Sequence, residues 1–131
     1  MKRKNFARRP GCAVEATLDL IDGKWKGVIL FHLQGGTQRF GELRKRMPGV
    51  TQRMLTKQLR ALEDDSLVIR KVYPEVPPRV EYRLSEIGES LRPVIDTLRA
   101  WGENHQAILS CGPETEIVEA PDRTASRSPA G

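Results

Sequence analysis

Between Thr51 and Leu84 the apolar residues change their spacing from three or four to two, and few folds accommodate that switch in one short stretch. Thr51 is suited to cap a helix, because its hydroxyl can accept a bond from an amide left unpaired in the first turn. Leu55, Leu59 and Leu62 then form one stripe of that helix, and Gln52, Arg53, Thr56, Lys57 and Arg60 fall on the other side. One face is built for a core and the other carries donors and cations. Farther on, Leu67, Ile69, Lys71 and Tyr73 alternate with Val68, Arg70 and Val72. Val80, Tyr82 and Leu84 alternate in the same way with Arg79, Glu81 and Arg83. This twofold period predicts a two-stranded hairpin whose tip is Pro74-Glu75-Val76-Pro77-Pro78-Arg79.

The residues before Thr51 read as helices. Val14, Leu18 and Ile21 recur at helical spacing and stop at Asp22-Gly23; Trp25, Val28, Ile29 and Leu33 mark a second stripe, closed by Gly35-Gly36. Thr37 to Phe40 is a short extended link. Leu43 and Met47 anchor a brief third helix that Pro48 cannot extend, since the residue before proline is pushed out of the α region. After the hairpin, Ser85 is placed to cap a last long helix with the stripe Leu91, Val94, Ile95, Leu98 and Trp101, continuing to Ile108 and kinked near its start by Pro93. The expected fold is mainly α with a small β hairpin: five helices and a wing, over residues 12–110. Residues 1–11 read as a flexible basic arm. Residues 111–131 lose apolar periodicity and read as a disordered tail.

Composition narrows the function classes. The net charge is +5, and Lys2, Arg3, Lys4, Arg8 and Arg9 of the arm alone supply that much, so overall charge argues little for nucleic acid; placement matters more. No apolar run approaches the roughly 20 residues of a membrane span, and the N-terminus lacks the apolar core of a secretory signal. A cytoplasmic protein with no membrane partner is expected. Cys12 and Cys111 are too few and too far apart in sequence for a disulfide framework. His32 and His105 have no acidic or cysteine neighbours at metal-binding spacing, so no metal and no cofactor are expected. No nucleophile with a base partner and no phosphate-cradling glycine loop occurs, which speaks against an enzyme and leaves no catalytic residue to name.

Helix, tight turn, helix with a one-sided polar face, then hairpin is the order of a winged helix-turn-helix. The major groove of DNA admits one helix, and its base edges need the groups found here: Arg for guanine, Gln for adenine, Thr for the thymine methyl. Thr51, Gln52, Arg53, Thr56, Lys57 and Arg60 are therefore candidate DNA-binding residues, joined by Arg39 before the third helix and Arg79 beside the hairpin tip. A solvated helix face is the alternative for the helix. For the tip, the prolines either stiffen it so that Arg79 reaches phosphate or a minor groove, or merely protect an edge from pairing with other chains. A winged helix used as a protein-interaction module is the rival function.

The chain resembles the HxlR-type regulators, a branch of winged-helix proteins related in outline to the MarR type. The matching residues are Cys12, Asp22-Gly23-Lys24-Trp25, Arg39-Phe40-Gly41-Glu42-Leu43, Met54-Leu55-Thr56-Lys57-Gln58-Leu59-Arg60, Val76-Pro77-Pro78-Arg79-Val80-Glu81-Tyr82 and Trp101-Gly102. The resemblance implies a homodimer that binds double-stranded operator DNA, with the helix from Thr51 as recognition helix. It also implies a dimer interface built from the first and last helices, here Val14, Leu18, Leu91, Val94, Ile95, Leu98 and Trp101. Cys12 becomes a candidate redox sensor, with an electrophile, an oxidant or a small ligand as effector; the plainer reading is a small apolar residue that seats the first helix. Three positions depart from the family pattern: Ala13 stands where proline is usual, Ser66 where glycine closes the recognition helix, and Asp22-Gly23 where a glycine pair is common. None lies on the polar face.

Overall fold

In the computed structural model, residues 10–110 and 116–119 are described; nearly all of the expected arm and most of the expected tail, Cys111 included, lie outside the described residues. The elements are α1 (Cys12–Ile21), α2 (Lys26–Leu33), β1 (Gln38–Arg39), α3 (Phe40–Lys45), α4 (Gln52–Asp64), β2 (Val68–Tyr73), β3 (Arg79–Leu84), α5 (Glu86–Ser90), α6 (Arg92–Asn104) and α7 (Gln106–Ser110). This is a winged helix-turn-helix. The chain forms two compact units, one through Ala100 and one from Trp101, so the boundary falls inside the stretch that the sequence assigns to a single domain.

The leucine stripe of α4 is its buried side, with Leu55, Leu59 and Leu62 almost fully enclosed. They join Ile29, Leu30 and Leu33 of α2, Leu43 of α3, Met47, Leu67, and Leu84 of β3 in one core. Burying each such side chain contributes roughly 1.5–3 kcal/mol, and together these residues lock α4 against α2 and the sheet.

Two expectations need correction. The link from Thr37 to Phe40 contains a strand: β1 pairs antiparallel with β3, Gln38 opposite Tyr82 and Arg39 opposite Glu81, so the sheet has three strands in the order β1-β3-β2. A two-residue strand is too short to show a period. Pairing with β3 and the bond from Gln38 Nε2 to the His32 carbonyl (2.6 Å) hold it in place. The expected single last helix is three helices, making seven among the described residues. Pro93 is the second residue of α6, where its missing N–H would lack a partner anyway. It therefore helps start a helix instead of kinking one. Beyond Asn104, the His105 amide bonds to the Gly102 carbonyl at 3.2 Å, and α7 follows.

The hairpin register matches the alternation. Val68, Arg70 and Val72 face Leu84, Tyr82 and Val80 on one side, and Ile69, Lys71 and Tyr73 face Arg83, Glu81 and Arg79 on the other. The Val76–Pro77 peptide is cis.

The junction between α4, β2 and α5 is tight. Ser66 adopts the left-handed conformation (φ 64°) and closes α4. Its amide bonds to the Glu63 carbonyl and the Leu67 amide to the Leu62 carbonyl, each at 2.9 Å, an arrangement glycine usually makes. Ser85 donates its hydroxyl to the Ser66 carbonyl (2.6 Å) and accepts from the Gly88 amide (3.0 Å), capping α5 while tying it to the end of α4. A Cβ on Gly88 would lie 2.2 Å from the Leu67 carbonyl oxygen, a backbone atom that also accepts from the Ser85 amide.

Gly88→Ala is expected to destabilise the protein by at least about 2 kcal/mol through that clash. Ser66→Gly, in contrast, should stabilise it by up to about 1 kcal/mol by relieving the left-handed strain. Equilibrium urea denaturation of the two variants beside the parent measures both, and equal midpoints for all three would contradict this account of the junction.

Candidate nucleic-acid interface

α4 begins where Thr51, in extended backbone, accepts a bond from the Met54 amide at 3.1 Å. The Thr51 hydroxyl is thus engaged as an acceptor of one bond and keeps its proton and one lone pair for a ligand. From there the side chains of Gln52, Arg53, Thr56, Lys57 and Arg60 line a single open depression on the outer side of the helix. Arg53, Lys57 and Arg60 are exposed, and none of the three forms an ion pair among the described residues. The solvated-face alternative allows such exposure, but it gives no reason for three unpaired cations to gather on one side, since like charges at these spacings repel.

The helix is fixed from behind. Besides the leucines, Glu63 near its C-terminus pairs with Arg70 of β2 at 3.5 Å. Burial, and next the Glu63 carboxylate, push the Tyr82 phenol above its ordinary range, so it stays a neutral part of this support. The turn into α4 is equally defined: the Met47 amide bonds to the Arg44 carbonyl, the Val50 amide to the Met47 carbonyl, and Gly49 takes the positive φ (92°) the turn requires.

Arg39 caps α3 with its backbone, its amide donating to Glu42 Oε1 at 2.7 Å, and its side chain is exposed. It enters the sheet opposite Glu81. Arg44 and Lys45 of α3, with Arg46 just after it, form an exposed basic run that the reading of the sequence did not single out. Three consecutive cations between the core residues Leu43 and Met47 were the available signal. Burial, and next the Arg46 guanidinium, hold the His32 imidazole below its usual range.

Arg79 differs from the cations of α4. Its guanidinium lies 3.8 Å from the centroid of the Tyr73 ring and pairs with Glu75 at 3.4 Å and Glu81 at 3.7 Å. It belongs to a cluster within the wing instead of projecting toward a ligand.

The candidate interface residues fall into two groups. Leu91 and Ile95 are buried in the core of their own chain, which leaves them little surface for a partner, and Val94 packs at that core's edge. Val14, Leu18 and Leu98 are more than half exposed. In the second unit Trp101 is also exposed and stacks on His105 with ring centroids 4.1 Å apart. Between the end of α1, α2 and α6 runs an apolar groove lined by Ile21, Val28, Phe31, Ile95 and Leu98, with Lys24 and Arg99 at the same groove. Cys12, the first residue of α1, is a free thiol only 4 % exposed. Among the described residues no group of three or more His, Cys, Asp or Glu could hold a metal, and no helix is long and apolar enough to cross a membrane.

Residues 20–108 match the HxlR-like helix-turn-helix family. The chain belongs to that family. It is 58 % identical over 105 residues to the HTH-type transcriptional regulator YtcD of Bacillus subtilis, an alignment spanning 80 % of each chain. Among solved structures, the redox regulator HypR in its reduced form is 50 % identical with a TM-score of 0.72, covering 74 % of this chain and 96 % of that one. The reduced transcriptional regulator YodB of B. subtilis is 32 % identical with a TM-score of 0.63, covering 83 % of this chain and all of that one. The span from residue 20 to 108 includes both α4 and the wing, so this HxlR-like chain shares with its family the part that bears the candidate site.

Proposed function

We propose that this protein is a sequence-specific regulator of transcription that binds double-stranded DNA as a homodimer on a pseudo-palindromic operator, acting as a repressor without enzymatic activity. The observation that carries this reading is the outer face of α4: Gln52, Arg53, Thr56, Lys57 and Arg60 around one depression, their cations unpaired, on a helix immobilised by its leucines. Fork-shaped and amide donors held on the outer face of a fixed helix suit base edges in a major groove. Thr51, the N-cap of α4, and the exposed Arg39 of β1 are assigned to the sugar–phosphate backbone. Two copies of α4 related by a twofold axis would enter successive major grooves about 34 Å apart. Val14, Leu18 and Leu98 supply exposed apolar surface for the second copy, and Trp101 of the second unit is exposed as well. Such a regulator works in the cytoplasm, where the DNA is, and needs no metal or cofactor.

Replacing Arg53 and Arg60 together with Ala is expected to abolish retention of operator DNA in a mobility-shift assay while leaving the dimer intact by analytical ultracentrifugation. For the parent, affinity should fall steeply as salt rises, because each phosphate contact releases counterions, with a slope of about −0.9 per contact. DNA binding by the double variant at parental strength would remove α4 as the reading head. A parent that binds no DNA but captures a protein would favour the interaction-module reading.

Control of binding enters through the thiol of Cys12. HypR, a relative described as a redox regulator in both reduced and oxidised forms, supports a redox input. Because Cys12 is buried at the start of α1, its oxidation requires that first turn to open. Mild peroxide or quinone should therefore modify Cys12 slowly and change operator affinity in the parent but not in Cys12→Ser, read by mass spectrometry and gel shift on one sample. If the serine variant responds equally, the input is not this thiol, and a small ligand in the groove between α1, α2 and α6 becomes the effector to seek.

A further inference from the structure

One face of the wing's two strands carries Lys71, Arg79, Glu81 and Arg83, and at its distal end the charge of Arg79 is already matched within the wing. At the distal end Tyr73 and Arg79 are directly opposed across the strands, with Lys71 and Glu81 the next pair on that face. The Arg79 guanidinium stacks on the Tyr73 ring and meets two carboxylates, Glu75 from the tip and Glu81 from its own strand; the Tyr73 hydroxyl donates to Glu81 at 3.1 Å and closes the cluster. Arg79 Nε is buried. With two carboxylates around it, this guanidinium cannot turn to a phosphate without leaving Glu75 and Glu81 to face that phosphate unneutralised.

The tip has the opposite character. Val76 is 99 % exposed and stands between Glu75 and the Pro77-Pro78 pair, with Pro74 before them. Three of its residues have no amide proton to offer an acceptor. Apart from Glu75, which Arg79 neutralises, what projects is apolar and narrow. The pairs beyond Arg70, which is tied to α4 through Glu63, carry the tip roughly 10 Å past that anchor at about 3.3 Å per residue. With α4 in a major groove, the neighbouring groove along the duplex is the minor one, about 6 Å wide, which admits a single small side chain and accepts apolar wedges.

We propose that Arg79 is a positioning residue, and that the wing meets the minor groove through Val76, whose direction the cluster of Arg79, Tyr73, Glu75 and Glu81 fixes. The inference rests on the DNA-binding reading of α4. It reassigns Arg79, which the sequence suggests as a contact to phosphate or to a minor groove, to a role inside the wing.

The test uses the full chain and two duplexes: one that the parent selects from a randomised pool, and the same duplex trimmed of the base pairs flanking the α4 half-sites. Arg79→Gln should weaken binding to the full duplex by about tenfold while leaving the salt slope unchanged, and should not alter binding to the trimmed duplex. General loss of structure would weaken both duplexes alike, so the split identifies positioning. Arg79→Lys should restore binding to the full duplex only in part, since an ammonium stacks and bridges less well than a guanidinium. Val76→Lys leaves the cluster untouched; on the full duplex alone it should steepen the salt slope by about one phosphate equivalent. A slope that falls by that amount in Arg79→Gln would show Arg79 on a phosphate and overturn the proposal. So would a Val76→Lys protein whose binding to both duplexes matches the parent's. If the parent selects no duplex at all, the DNA-binding reading falls and this proposal falls with it.

Discussion

Everything that α4 presents to solvent depends on Leu55, Leu59 and Leu62 being held from behind. A helix turns about 100° per residue, so rotating α4 by one position would pull a leucine out of the core and bring a cation toward it. Truncating a buried leucine to alanine costs roughly 2–5 kcal/mol, a large share of the 5–15 kcal/mol that separates a typical folded domain from its unfolded chain. The outward direction of Gln52, Arg53, Thr56, Lys57 and Arg60 is thus set by packing on the far side of the helix. Their mutual arrangement is slightly unfavourable by itself, because Arg53 and Lys57, and Lys57 and Arg60, stand at spacings where like charges cost about 0.2–0.5 kcal/mol per pair. The core tolerates that cost, and a polyanion would reverse its sign.

The cations of this chain divide by partner. Lys26, Arg70, Arg79 and Arg92 are paired, with Asp22, Glu63, the two wing carboxylates and Glu89 respectively. Arg92 also donates to the Gln34 carbonyl at 3.2 Å, joining the start of α6 to the end of α2. These pairs tie elements to one another. Among the described residues, six cations without an ion pair are grouped on α4 and on the run from Arg44 to Arg46, the second and first helices of the helix-turn-helix with its turn, while Lys24, Arg39, Lys71 and Arg83 stand apart from that group in the sequence. With a screening length of about 8 Å at physiological salt, a net charge of +5 summed over the chain has little meaning at any one surface. The local grouping is what a charged partner senses.

How much of this was legible in the sequence follows the range of the interactions. The α4 stripe, its Thr51 cap and the alternation of β2 and β3 depend on neighbours a few residues apart, and the predicted faces match the observed ones. β1 was not legible as a strand because two residues carry no period and its pairing with β3 spans some forty positions of sequence. The break between α5 and α6 was hidden by an apolar pattern that runs through both helices, with Pro93 the one local clue, read as a kink where it marks a start. For the site, the α4 residues were found together, whereas the fate of Arg79 was not. Its partners Tyr73, Glu75 and Glu81 are near in sequence, but only the closed hairpin brings two carboxylates and a ring around one guanidinium.

α1 is only lightly secured by its own chain. Cys12 is its one buried residue, with Leu20 and Ile21 packed at the core's edge, while Val14 and Leu18 face outward. A helix of ten residues with so little of its surface buried gains little from propensity alone, since isolated helices shorter than about 12–15 residues are marginal in water. In the proposed dimer a second copy supplies the missing cover for Val14 and Leu18. The seating of Cys12 at one end of α1 and the covering of its exposed side then act on the same short helix. A change at the thiol that lifts the first turn would shift the apolar side chains two and six residues farther on, and with them the spacing of the two α4 helices. DNA affinity is sensitive to that spacing, because the half-sites of a duplex are separated by a fixed rise and turn. In that proposed scheme a small buried group on α1 acts on α4 through the dimer and without touching DNA.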